Sequence, residues 1–243
     1  MKSVYPITTL ALGAALSTHA AVFNVTGDPS DRGIGLNDSL APVFRSVTQT
    51  NLSLANDNFQ FNQGDLVGVL VFELPDLGGQ AISTANLYTQ LTNGGYLQPD
   101  GGYPYDIAIY GMRTSASNAV ELTDYGFGTS PGNGDLIQSD YYTFTTNQPF
   151  PGDEAVNTSA AGSISLASWL QDQYDGGATA GDYAFIRLTP SGPTNNPPAF
   201  ASADNTTPGY APVLTVETIP EPRTYAAIAG LGMLTLAILR RRH

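Results

Sequence analysis

The chain has 243 residues and a formal net charge of −12, with no cysteine and two histidines, His19 and His243. Without cysteine there is no disulfide, no thiolate metal centre and no thiol nucleophile. Residues 21–218 also lack histidine and lysine, which removes Ser-His-Asp catalysis, imidazole-ligated zinc and Schiff-base chemistry from that stretch.

The chain order begins with three zones of a secretory signal peptide, residues 1–20. Lys2 supplies the charge, Ile7 to Leu16 (ITTLALGAAL) an apolar stretch too short to span a bilayer, and Ser17 to Ala20 a small-residue exit. Cleavage is expected between Ala20 and Ala21. A cut one residue later would set His19 at the third position before it, where a small side chain is needed.

The body follows as one domain, residues 21–218. Four arginines (Arg32, Arg45, Arg113, Arg187) stand against twenty acids there, a formal charge of −16. Such a surface repels phosphates and anionic lipid, so no nucleic-acid partner is expected. Short strands between Gly, Pro, Asn and Asp clusters predict an all-β, antiparallel sandwich. They are placed at Val22–Thr26, Val43–Thr48, Leu66–Glu73, Thr84–Leu91, Tyr105–Met112, Asp140–Thr145, Ser163–Leu166, Tyr183–Thr189, Ala199–Ala203 and Val213–Thr218. Leu66 to Leu74 (LVGVLVFEL) is almost continuously apolar, as in a strand buried on both faces. Leu166, Trp169, Leu170 and Tyr174 recur at helical spacing before Gly176-Gly177, which predicts one short helix, Ala167 to Tyr174, over an open end of the sandwich. Trp169, the chain's single tryptophan, reads as that helix's core anchor. Turn-rich stretches fall at Asn93–Pro104, Thr129–Asp135, Pro149–Ala161 and Pro190–Pro198.

The last segment, 219–243, has a different composition. Pro220-Glu221-Pro222 resists helix and sheet pairing and is expected to be extended. An apolar run follows, Ala226 to Leu239, and then Arg240-Arg241-Arg242-His243. Counted from Tyr225, with tilt, the run is long enough for a transmembrane helix across a thin bilayer, and the arginines would hold the extreme C-terminus in the cytoplasm.

Within the body two groups of residues have ligand chemistry. Asp28, Asp31, Asn37 and Asp38, in the loop Gly27–Ser39, offer the oxygens that a structural calcium takes; the same residue types also simply make turns. Tyr96 and Tyr103, in a glycine-rich loop, could stack on sugar rings, whereas tyrosines on strands pack half in a core with a wet hydroxyl. The remaining catalytic chemistry is a carboxylate pair of glycosidase type, which would make a polysaccharide hydrolase or lyase, but spacing singles out no pair. Asn24, Asn37, Asn51, Asn157 and Asn205 each begin an N-x-Ser/Thr triplet, a by-product of an Asn/Ser/Thr-rich composition.

Pro220, Glu221 and Pro222, the apolar run and Arg240, Arg241 and Arg242 resemble, in order and spacing, the PEP-CTERM sorting signal. That resemblance implies an exosortase-type processing enzyme as partner, a precursor held in the membrane by its C-terminal helix, and a destination at the cell surface or in the exopolysaccharide matrix of a biofilm. The body resembles the DNRLRE domain, related to carbohydrate-binding module family 96, through Gly68–Pro75 (GVLVFELP), Ile82–Tyr88 (ISTANLY), Ile164–Gly177 (ISLASWLQDQYDGG), Tyr183–Thr189 and Phe200–Glu217. It departs from that family at Val120–Phe127 (VELTDYGF), where the family carries tryptophan, and at Ala203-Asp204, where the family has Glu. The resemblance implies a jelly-roll sandwich that is not an enzyme: a surface or matrix component, or a carbohydrate-binding module acting alone on polysaccharide.

Overall fold

The computed structural model describes residues 20–36, 41–44, 50–54, 66–93, 105–126, 134–144, 153–190 and 198–219. The described residues form twelve strands and one α-helix. In chain order these are β1 (Val22–Thr26), β2 (Arg32–Leu36), β3 (Pro42–Phe44), β4 (Asn51–Ser53), β5 (Leu66–Glu73), β6 (Ala81–Asn93), β7 (Tyr105–Ser115), β8 (Asp135–Phe144), β9 (Glu154–Asn157), α1 (Ala160–Asp175), β10 (Tyr183–Pro190), β11 (Ala199–Ala201) and β12 (Val213–Ile219). Among the described residues a 3-10 turn, Leu122–Tyr125, lies between β7 and β8.

Every pairing is antiparallel. One sheet runs β1-β12-β6-β11-β4, with β9 also paired to β6; the other runs β3-β2-β5-β10-β7-β8. In β6, Tyr88 faces Val213 of β12 and Asn157 of β9, so β9 lies along the opposite edge from β12.

Period-two alternation sets the core. Leu70 and Phe72 of β5, Ile107 and Ile109 of β7, and Ala184, Ile186 and Leu188 of β10 meet Ala85, Leu87 and Leu91 of β6, Phe200 of β11, and Leu214 and Val216 of β12. Each large side chain so buried contributes about 1.5–3 kcal/mol. The alternate residues of the second sheet are buried as well. Val67, Val69 and Val71 of β5 and Phe185 of β10 join Ile34, Leu36, Val120 and Tyr125 in a separate cluster. A sheet covered on both faces has no reason to alternate polar with apolar, which accounts for the unbroken apolar reading of β5.

The helix differs from the sequence expectation. It is not short: it spans Ala160–Asp175, sixteen residues, and it absorbs the strand expected at Ser163–Leu166. Ser159 is the N-cap, extended at φ −65° and ψ 169°, and its side chain accepts from the Gly162 N–H. Small residues in the first turn had the look of a loop, but they are there for packing. A Cβ on Gly162 would fall 2.0 Å from Gln138 Oε1, and that same oxygen accepts the Ser159 N–H at 3.0 Å. At the other end Gly177 adopts a positive φ of 107°, a conformation that glycine takes at little cost.

The helix packs on β6, β7 and β8. Gln171 Oε1 accepts the Ile82 N–H at 2.9 Å, so a helix side chain occupies a backbone donor of β6 outside the reach of β9. An exposed strand edge is thereby blunted. Tyr174 donates to the Pro75 carbonyl at 2.7 Å and ties down the last turn.

Three strands, β2, β4 and β9, fall where the sequence suggested turns or nothing. β2 is Gly-rich (RGIGL) and β4 and β9 have three and four residues; each is held by its neighbour more than by its own propensity. The expected strand Val43–Thr48 is present over its first part within Pro42–Phe44, and the rest lies outside the described residues. The expected signal helix, with His19, and the expected transmembrane helix also lie outside the described residues. Among those described, no helix is long and apolar enough to cross a membrane.

Candidate functional site

Ala21–Ile219 forms one compact unit, and its two ends meet. The Ala21 N–H donates to Thr218 Oγ1 at 3.1 Å, and the Thr218 N–H donates to the Ala21 carbonyl at 2.9 Å. Five residue pairs of β1 and β12 continue the ladder from Val22↔Glu217 to Thr26↔Val213. Thr218 is fully buried, and its hydroxyl also bonds Gln80 Oε1. Ala20, by contrast, is exposed. The bond expected to be cut, Ala20–Ala21, therefore sits at the first residue tied into the sheet. Pro220, Glu221, Pro222, Arg240, Arg241 and Arg242 lie outside the described residues.

The acidic turn is built from Asp28 and Asp31. The Asp31 N–H donates to the Asp28 carbonyl at 3.2 Å and closes the turn. Asp28 Oδ1 accepts the Ser30 N–H at 2.9 Å and Asn118 Nδ2 at 3.1 Å. Asp31 is 5% exposed. Its Oδ1 accepts the Val71 N–H at 2.7 Å and its Oδ2 the Ala203 N–H at 3.0 Å, so one carboxylate staples the turn to β5 and to the segment before β12. Burial pushes the Asp31 carboxyl up to about 8, against the opposing pull of those two backbone donors. Nearby Asp28 and Asp204 push it the same way as burial. Among the described residues no group of three acidic or histidine side chains is placed to hold a metal. The other two residues expected at a calcium, Asn37 and Asp38, lie outside the described residues, as do Tyr96 and Tyr103.

Two of the described arginines, Arg113 and Arg187, are spent internally. Arg113 makes a two-pronged bond to Asp124, Nε to Oδ1 at 2.7 Å and Nη2 to Oδ2 at 2.9 Å, and its guanidinium lies 3.9 Å from the centroid of Phe185. Arg187 is fully buried. It donates to the Tyr125 carbonyl at 2.7 Å and to Thr189 Oγ1 at 3.0 Å. Burial lowers Arg187 to about 10, still charged at neutral pH.

No protein-family model matches the chain, and no curated protein matches it.

Two further features are absent from the sequence reading. An open groove of about 500 Å³ is lined by Asp135, Ile164, Ser165, Ser168, Trp169 and Asp172. Trp169 itself is buried in the core; its ring lies over Gly111, where a Cβ would come 2.2 Å from Cε2. Its Nε1 has no hydrogen-bond partner among the described residues. Of the strand tyrosines, Tyr88, Tyr110, Tyr142 and Tyr183 are half-buried, as expected, and Tyr141 is drier. Tyr141 is buried, and its hydroxyl sits 2.8 Å from Thr89 Oγ1 and 3.2 Å from the Leu87 and Val156 carbonyls. Tyr142 donates to Glu154 at 2.6 Å, tying β8 to β9.

Proposed function

We propose that the chain is an exported, non-catalytic protein of the cell surface or exopolysaccharide matrix. It is made as a precursor and handed over by exosortase-type processing of a C-terminal tag that resembles the PEP-CTERM signal. The single observation that carries this is the Ala21–Thr218 pairing. Ala21 and Thr218 flank one end of the β1–β12 ladder, which holds only Val22–Thr26 and Val213–Glu217, so removing residues 1–20 and the segment after Ile219 would break no pair in it. A body with no His, Cys or Lys, whose described arginines are committed to internal bonds, supports a binding or structural role over an enzymatic one.

We read the sandwich as jelly-roll type, and related to the DNRLRE domain. Successive strands cross between the sheets in the stretches β4-β5-β6-β7 and β8-β9-β10-β11, which is the connectivity a double-sheet roll needs. The helix, Ala160–Asp175, overlaps Ile164–Gly177, one of the segments whose sequence carries that resemblance.

Mass spectrometry of the chain termini, on protein from the native host's surface fraction, tests the reading. An N-terminus at Ala21 and the absence of any peptide ending in His243 are expected. Glu221→Ala, or deletion of Arg240–Arg242, should leave export intact and trap uncleaved precursor in the membrane. An intact His243 on surface protein would overturn it.

A further inference from the structure

The connection from β1 to β2 runs Gly27-Asp28-Pro29-Ser30-Asp31, and it is clamped from both sides. The Gly27 N–H donates to the Pro212 carbonyl at 2.8 Å, and the Asp28 N–H to the Val71 carbonyl at 2.7 Å. At the far end Asp31 is tied to the Val71 and Ala203 N–H groups through its own carboxylate. Asp28 and Asp31 are the first and last residues of a β-turn with proline second, where its locked φ fits. Pro29 at the tip is exposed, and Asp28 is half-buried.

An aspartate before a proline is a reactive pair when its carboxylate is held against its own peptide group. The Ser30 N–H and Asn118 Nδ2 both donate to Asp28 Oδ1, at 2.9 and 3.1 Å. The first of these bonds turns the carboxylate forward along the chain, toward the Asp28–Pro29 link. Both bonds fall on Oδ1, which leaves Oδ2 as the nucleophile. The Asp28 carbonyl accepts the Asp31 N–H at 3.2 Å, so a donor already faces the oxygen on which negative charge gathers during attack. The leaving nitrogen belongs to proline: it has no N–H, its two alkyl groups make it more basic than an ordinary amide nitrogen, and water reaches it. Holding nucleophile and carbonyl in one geometry is the source of large intramolecular rate gains.

We propose that Asp28–Pro29 is a self-scission site with the Asp28 carboxylate as its nucleophile. Asp28 Oδ2 bonds to the Asp28 carbonyl carbon and closes a five-membered succinic anhydride. The carbon–nitrogen bond breaks, its electron pair stays on the Pro29 nitrogen, and that nitrogen takes a proton from water. A second water opens the anhydride to two carboxyl groups. The net change is hydrolysis of one peptide bond, with nothing oxidised or reduced. The product is a nicked body rather than an unravelled one. Val22–Thr26 keeps its five residue pairs with β12, and the Gly27 and Asp28 N–H groups keep their bonds to Pro212 and Val71. The step uses no histidine, cysteine or lysine, the residues that the body lacks. Because it happens once within one chain, it does not make the body an enzyme, and it is independent of where the protein is delivered.

The test is incubation of the full chain in mild detergent at pH 5, folded and in concentrated urea, with mass spectrometry of the fragments over time. A new C-terminus at Asp28 and a new N-terminus at Pro29 are expected. They should appear at least about tenfold faster in the folded chain than in the urea-unfolded one, which separates a built site from the ordinary lability of an aspartate–proline bond. Hydroxylamine in the buffer should be recovered as a hydroxamate on Asp28, the mark of an anhydride. Asp28→Ala removes the nucleophile and should stop the cut. Pro29→Ala keeps the carboxylate, replaces the leaving group and should stop it too, a second variant should the first fold poorly by thermal unfolding. Scission no faster in the folded chain than in urea, an Asp28→Ala chain that is nicked at the same rate, or a cut without hydroxamate would overturn the proposal.

Discussion

Ala21 and Thr218 exchange hydrogen bonds at the end of the β1–β12 ladder, N–H to Oγ1 at 3.1 Å and N–H to carbonyl at 2.9 Å. This relationship gives the two ends of the body a common anchor. Thr218 is fully buried while Ile219 beside it is half exposed. Glu217 and Ile219, on either side of Thr218, are both exposed, the alternation of a strand with one face in the core.

Thr218→Val should loosen that anchor specifically. Valine keeps the volume but deletes the acceptor for the Ala21 N–H and the partner of Gln80 Oε1. The cost should be about 1–2 kcal/mol, the range for buried polar groups that lose a partner. Hydrogen exchange should quicken first at Ala21 and at the β1 amides facing β12. Unchanged exchange there, with normal global stability, would show that the ladder does not depend on this hydroxyl.

The helix offers a second prediction, read by the chain's single tryptophan. Gly111→Ala would put a methyl 2.2 Å from Trp169 Cε2, so the indole must leave its seat or β7 must shift. Overpacking of this kind costs about 1–3 kcal/mol. Trp169 emission should move to the red as the ring gains water, and the urea midpoint should fall. An unshifted spectrum with an unchanged midpoint would mean that the ring does not pack on β7 in solution.

Much of this architecture is legible in the sequence, and the rest is hidden there for physical reasons. The bounds of β1 and β5 match their sequence signals because each is an apolar run closed sharply, β1 by Gly27-Asp28-Pro29 and β5 by Pro75 beyond Glu73-Leu74. In sequence helix α1 reads at half its length, because Ala160-Ala161 closes a turn-rich stretch and Ser163–Leu166 reads as a strand; the partner of the first turn, Gln138 against Gly162, lies on another strand. The strand at Glu154–Asn157 was hidden in a stretch of turn residues; its reason to be extended is the partner β6, not its own composition. Asp31 was legible as an acidic turn residue but not as a staple, since its two acceptor bonds reach Val71 and Ala203, far along the sequence.

The Arg113–Asp124 pair closes the outer cluster of the second sheet. Asp124 is 2% exposed and also accepts the Glu121 N–H at 2.7 Å. Asp124→Asn keeps the shape but removes the charge opposite a guanidinium that is one-quarter exposed. One-sided loss from a buried pair costs roughly 3–5 kcal/mol, and solvent at Arg113 should bring the figure to about 2–3 kcal/mol. Arg113→Met with Asp124→Leu should recover part of it, because no lone charge is then left behind. Urea denaturation of the three proteins gives the comparison; a double variant no better than the single would argue that the bonds themselves, rather than the orphaned charge, dominate.

Asp31 makes the stability of the body depend on pH in an identifiable window. Its folded carboxyl is raised to about 8 from an ordinary value of 3.8. Between those values the folded state holds a proton that the unfolded state has released, so stability falls as pH rises across the window and levels off above 8. One proton corresponds to a slope of about 1.4 kcal/mol per pH unit at most. The window is unusually clean above pH 6, because residues 21–218 contain no His, Cys or Lys; only an α-amino group otherwise titrates there. Stability measured by urea denaturation should therefore decline from pH 6 to 8. Asp31→Asn, which stays neutral throughout, should be less stable at pH 6, because one of the Val71 and Ala203 donors loses its acceptor, and should show a nearly flat profile over the same range. A wild-type profile that is flat between pH 6 and 8 would mean that the two backbone donors, rather than burial, govern the carboxyl, and that Asp31 is ionised in the folded protein.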